Sequence, residues 1–352
     1  MFQIIRIGSA FIGIIVGAGF ASGQEILQYF TSFGYLGTFG AIVSTALFAY
    51  VGMTLVNVGS RLKTTNHKEA IFEISGKYIG TVVDYVIIFT LFGVGVVMLS
   101  GAGSLLNQQF GLPFFLGSLI MIVLVALSVM LNVEQVINII GSITPFLIIF
   151  IIIVGLYSLL TSGLSFGELE PIALGQDSAL SNWFFSAVNY VSFNTAVGAA
   201  MALVMGGSEE NSKIAGIGGL VGGLGIGIMI VISHLAIFSK VDVVAAYDMP
   251  MLKMVDLISP VLSSVMTIVL FGMIFNTALS MFYAFTARFM EMNTKKANIF
   301  VSVTLVIGFI ASFVGFTDLV SFFYPLIGSL GLVLIGVLIY APFKLRKYER
   351  QR

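Results

Sequence analysis

Cysteine is absent from all 352 residues, so neither disulfides nor thiol chemistry enter this protein. Histidine occurs twice, at His67 and His234, too rarely for a histidine-rich metal site. Charge is scarce: 9% of residues are Asp, Glu, Lys or Arg, against about 25% in a soluble domain. The sixteen acidic and sixteen basic residues cancel, so no basic excess points to nucleic acid. There is no Walker motif, no HExxH and no nucleophile elbow, which leaves no sign of an enzyme. What fills the chain instead is apolar: 58% of residues are hydrophobic and 39 are glycine. A deficit of charge spread over the whole length describes an integral membrane protein.

A span needs about 20 mostly apolar residues. Ten segments qualify: 4–31, 35–61, 78–108, 113–131, 134–161, 181–205, 212–239, 259–288, 296–314 and 318–342. Residues 67–76 read as a short surface helix before the third. The first apolar run follows Arg6 as a signal peptide would, but it is too long and nine more follow, so it reads as an uncleaved helix. With both termini cytoplasmic, fourteen of the sixteen basic residues fall on the inner side, and only Lys240 and Lys253 fall outside. That asymmetry is the positive-inside pattern. The expected organisation is a first five-helix unit over 1–161, an extracellular loop over 162–180, a second unit over 181–343, and a basic cytoplasmic tail over 344–352. The expected setting is a cell membrane; oligomeric state is left open.

Two spans carry irregular sequence at bilayer depth. The first contains Gly17-Ala18-Gly19-Phe20-Ala21-Ser22-Gly23-Gln24-Glu25, the sixth Val191-Ser192-Phe193-Asn194-Thr195-Ala196-Val197-Gly198. Broken backbone in a membrane survives only against protein or a water-filled cavity. Breaks are therefore expected within 16–23 and 191–198. Weak echoes half a chain apart support a repeat: Leu91-Phe92-Gly93 with Leu270-Phe271-Gly272, and Ile140-Gly141-Ser142 with Ile327-Gly328-Ser329. Five spans per copy would insert the second copy upside down. Interrupted segments at matching positions of two halves point to a transporter binding site.

At this point the chain resembles the amino acid–polyamine–cation superfamily of LeuT-fold transporters. Its opening motif, from Gly17 to Glu25, looks like that of the YkvI-type bacterial membrane proteins. The resemblance implies an all-α polytopic protein with ten transmembrane helices in a 5+5 inverted repeat, helices one and six broken. It implies a cation-coupled secondary transporter of a small, amino acid-like solute, alternating around a midplane site between helices 1, 3, 6 and 8. Spans one, two, six and seven would move against a scaffold of three, four, eight and nine. A solute sensor on the same fold, binding without turnover, is the alternative.

The residues offer candidates for that site. A break in span one frees the N–H groups of Ala18, Gly19, Phe20 and Ala21 at the positive end of a half-helix, suited to a carboxylate; close helix packing is the competing use of these glycines. Glu25 would pair with an ammonium, hold a proton or gate the outer side, or close a Ser22-Gly23-Gln24-Glu25 capping box. Ser192, Asn194 and Thr195 would line the site at the second break, with Asn276 of span eight. The resemblance to sodium-coupled members implies a sodium site from the Gly13 and Val16 carbonyls with Thr277 and Ser280. Sodium or a proton is the expected coupling ion, and no other cofactor is expected. Thr277 and Ser280 could instead bond back to their own helix. Phe20 stands where many sodium symporters of this fold carry a second-site asparagine. Asp84 reads as an interfacial acid beside Lys77, His234 as a hydrogen-bonded packing residue.

Overall fold

The computed structural model describes residues 1–64, 67–130, 144–292 and 294–349. Among the described residues every regular element is a helix. In chain order the α-helices are α1 (Phe2–Ile15), α2 (Ala18–Ser22), α3 (Gln24–Tyr29), α4 (Tyr35–Leu62), α5 (His67–Phe110), α6 (Phe114–Met130), α7 (Thr144–Leu160), α8 (Phe166–Leu174), α9 (Trp183–Gly207), α10 (Ser212–Phe238), α11 (Val241–Val244), α12 (Pro250–Ile258), α13 (Pro260–Phe289), α14 (Lys295–Ser312) and α15 (Phe316–Glu349), with a short 3-10 turn at Thr31–Phe33. Seven are long and apolar enough to cross a membrane: α4, α5, α9, α10, α13, α14 and α15. Three shorter apolar helices, in α1, α6 and α7, lie where the remaining spans were expected. Residues 134–143 of the fifth expected span, and with them Ile140-Gly141-Ser142, lie outside the described residues.

α5 bends at Gly76, whose φ of 78° is open to glycine. The bend separates the surface helix expected over 67–76 from the long span behind it. The connection between α7 and α9 is more than a loop. It holds α8, whose first turn is fixed by the Ser165 N–H and hydroxyl donating to Glu168 at 2.8 and 2.7 Å. Glu170, also on α8, accepts the Tyr35 N–H at the start of α4, at 2.9 Å.

Two packed groups are visible. In the first, α1, α4, α9 and α10 lie on one another; in the second, α5, α6, α13 and α14 do. α15 touches both. The first group is zipped by glycine. A Cβ on Gly219 would overlap the Gly52 carbonyl, and one on Gly223 would overlap that of Phe48. Lipid supplies no hydrophobic drive between helices, so small residues that let backbones touch do the joining. The glycines of α10 serve this close packing. The second group runs antiparallel across α5 and α13. Arg288 pairs with Asp84, Phe282 packs at Gly95 and Ile274 at Gly101, and Ser263 donates to Gln109 at 2.7 Å. The partner of Asp84 is thus Arg288 of α13, not Lys77 two turns back on its own helix; only tertiary packing brings Asp84 and Arg288 together.

Candidate functional site

The first span is interrupted twice. Helical bonding in α1 ends with the Val16 N–H donating to Ile12 O, and α2 begins with the Ala21 N–H donating to Gly17 O. Between them Val16 and Gly17 are extended. The carbonyls of residues 13–16 therefore meet the N–H groups of residues 18–20 across a gap, both at helix ends without helical partners. Of the four expected N–H groups, that of Ala21 is already bonded inside the helix. A second interruption lies at Gly23, φ 85°, where α2 passes into α3. The left-handed turn needs glycine, and a Cβ there would also stand 2.7 Å from Met251 Cγ of α12.

The sixth span is not interrupted: α9 is one helix from Trp183 to Gly207. The expected break at 191–198 is corrected, and the reason lies in where the polar residues went. Asn194 and Thr195 donate back to Tyr190 O and Val191 O, at 3.0 and 2.6 Å, within their own helix. Ser192 donates to Gly328 O of α15 at 2.6 Å. Asn189 donates to Pro325 O at 2.9 Å and to Ser329 Oγ at 3.1 Å. Each hydroxyl and amide is satisfied without opening the backbone. Ser192, Asn194 and Thr195 are buried among helices.

Glu25 is buried, 4% exposed. Its Oε2 accepts the Tyr190 hydroxyl at 3.0 Å, and its Oε1 rests so close to Gly19 that a Cβ there would overlap it. The capping box is therefore not formed as expected. Ser22 Oγ accepts the Gln24 N–H at 3.1 Å, while the Glu25 carboxyl turns away to Gly19 and Tyr190. Tertiary contact with α9 outcompetes a local cap. Around it stand three buried tyrosines. Tyr29 packs 5.1 Å from Tyr190 and donates to Asn189 Oδ1 at 3.2 Å. Tyr324 stacks on Phe193 at 4.1 Å, its hydroxyl directed at Gly19. No sequence reading had singled out Tyr29, Tyr190 or Tyr324. The signal available was aromatic residues with a polar tip inside apolar spans.

At the break itself, the Thr277 hydroxyl of α13 lies 4.0 Å from where a Gly17 Cβ would be. Asn276 Oδ1, beside it, is buried without a hydrogen-bond partner, as is Ser100 Oγ on α5. The antiparallel register of α5 and α13 sets Ser100 level with Asn276. Thr277 and Ser280 are half-buried, and Gly13 is exposed on α1. Thr277 thus meets the break, whereas Glu25 and the Ser192 group lie on the α9 side. His234 is buried between the hydroxyls of Thr31 (3.1 Å, Nδ1) and Thr38 (2.9 Å, Nε2), a packing role as expected. No group of three or more His, Cys, Asp or Glu stands together among the described residues.

The same architecture occurs in solved transporters. MhsT, crystallised with L-phenylalanine, superposes with a TM-score of 0.64 at 17% identity, covering 96% of this chain and 89% of that one. Inward-facing Mhp1 gives 0.63 at 13% identity, covering 98% and 77%. The fold is the LeuT fold. In sequence, the chain is 29% identical to the uncharacterized membrane protein YkvI of Bacillus subtilis (strain 168), over 95% of this chain and 94% of that protein. It is 24% identical to YyaD of the same organism, over 94% of each. No family model matches. The protein is thus a multi-pass membrane protein with a homologue in YkvI.

Proposed function

We propose that this protein is a secondary transporter of a small organic solute, built as two inverted five-helix units in the cell membrane. The observation that carries the reading is the interruption of the first span at Val16-Gly17, facing Thr277 and next to the unpartnered Asn276. It sets donors (the N–H groups of Ala18, Gly19 and Phe20) and acceptors (the carbonyls of Gly13 to Val16, and Asn276 Oδ1) around one gap. A solute with both an anionic and an amino group satisfies both sets, and a solved neighbour holds L-phenylalanine. The two packed groups of helices supply bodies that can rock against each other around it. Since α9 is continuous, span six contributes a wall of side chains rather than backbone ends.

Coupling to a cation fits two places: Thr277 and Ser280 with the Gly13 and Val16 carbonyls for sodium, and the Glu25 carboxyl for a proton. The test is uptake into proteoliposomes of a radiolabelled mixture of the proteinogenic L-amino acids, beside equilibrium binding of the same mixture in detergent. Accumulation above the bound amount supports transport; binding without accumulation overturns it in favour of a sensor. For the sodium set, Thr277→Ala with Ser280→Ala is expected to abolish sodium stimulation of uptake. Equal wild-type uptake in sodium-free buffer rejects that set.

A further inference from the structure

Glu25 is a carboxyl inside a membrane protein with no cation beside it among the described residues. Every element packed around it has been given its charge partners by the fold. From α9, Tyr190 donates to Oε2. From α3, the Tyr29 hydroxyl is committed to Asn189. From α15, the Tyr324 hydroxyl stands over Gly19. On α10, His234 is held between two threonines. On α12, Lys253 pairs with Asp256 at 2.9 Å, and between α5 and α13 Arg288 pairs with Asp84. α2 carries no titratable side chain. One neutral hydroxyl does not offset the burial of a carboxylate, which by itself costs several kcal/mol.

Something must supply the positive charge, and geometry selects which. Oε1 already fills the space where a Gly19 Cβ would stand, and Oε2 accepts the Tyr190 hydroxyl. An ammonium group, about the size of a methyl, would need room beside a carboxyl that is 4% exposed, whereas a proton needs none. The carboxyl also sits two residues beyond Gly23, the left-handed joint between α2 and α3, on which Met251 of α12 is packed. Lifting α12 and turning about Gly23 would bring water to it.

We propose that Glu25 is the proton-carrying group of the transport cycle, neutral in this closed arrangement and ionised when the Gly23 joint opens. The step is balanced by water alone. The carboxylate takes a proton from hydronium on the open side, forming its O–H bond, and returns it to water on reopening to the other side. The cycle depends on the transporter reading above; the protonation of Glu25 does not, so the two are tested apart.

The first arm is infrared spectroscopy of the reconstituted protein, titrated with acid and base in H2O and D2O, with the proton as the only probe. The wild type is expected to show a protonated-carboxyl stretch, shifted in D2O, that Glu25→Gln lacks. The same band at full amplitude in Glu25→Gln overturns the proposal. Melting followed by the single tryptophan, Trp183, establishes that the variant is folded; if it is not, Tyr190→Phe, which removes the one donor to Oε2, is expected to move the band. The second arm is proteoliposome uptake of the labelled amino acid mixture under an imposed proton gradient. Glu25→Gln is expected to lose at least tenfold of gradient-driven accumulation. Retained accumulation, or accumulation that only a sodium gradient drives, overturns proton carriage. If the wild type takes up nothing, the transporter reading falls and the infrared arm alone decides Glu25.

Discussion

Gly19→Ala separates helix propensity from tertiary fit. Gly19 lies inside α2, where alanine is favoured over glycine by about 1 kcal/mol. On local grounds the variant is stabilised. The structure predicts the reverse. The new Cβ would overlap Glu25 Oε1 and lie 3.1 Å from the Tyr324 hydroxyl. Both neighbours are buried side chains with little freedom, so the overlap is relieved by strain of about 1–3 kcal/mol. Moving the carboxyl also breaks its bond from Tyr190, worth about 1 kcal/mol. Against the gain from propensity, the net is a destabilisation of about 1–3 kcal/mol. Glu25→Ala removes the obstructing carboxyl, so in that background Gly19→Ala should be near neutral. The double-mutant cycle is then expected to show a coupling of about 2 kcal/mol. The measurement is unfolding in detergent followed by Trp183 fluorescence, with all four proteins under identical conditions. A Gly19→Ala protein as stable as wild type, with coupling below about 0.5 kcal/mol, would refute the placement of Glu25 against Gly19.

Because the chain lacks cysteine, single cysteines report topology cleanly. Cysteine at Ser178 should react with an impermeant thiol reagent on intact cells and cysteine at Glu210 only after permeabilisation; the opposite result inverts the protein in the membrane. The helix α8 should be acid-sensitive. Hydrogen bonds from the Ser165 hydroxyl and then its backbone N–H hold the Glu168 carboxyl below its ordinary range. A depressed folded-state value contributes stability above the ordinary carboxylate range, which is lost as pH falls through the folded value. Amide exchange over residues 166–174, compared with Glu168→Gln, should show protection falling only in the wild type as pH drops below about 4; identical profiles would remove Glu168 from the account.

What was legible in the sequence is what depends on one segment and its solvent. Apolar length located the helices, because a bilayer accepts no unpaired backbone. Clustered glycine located the interruption at 16–23, since no neighbour makes that run a good continuous helix. Span six shows where such reasoning ends. Serine, asparagine and threonine in a lipid-embedded helix demand partners, but not a particular remedy. A break was one remedy; back-bonding by Asn194 and Thr195, with α15 close enough to receive Ser192, was the one taken.

Glu25 shows the same division. Its place next to Ser22 and Gly23 allowed a local cap, and the sequence alone marked it as an acid at bilayer depth. It could not say that α9 would bring Tyr190 165 residues along the chain to its carboxyl, nor that Arg288 would come across 204 residues to Asp84. Composition and periodicity determined that this chain crosses a membrane as helices and is interrupted in the first. The pairing of helices, set by which glycines lie against which backbones, decided which polar groups are satisfied. Hydrogen bonds and buried charge depend on distances between segments, and only the packed chain has those distances.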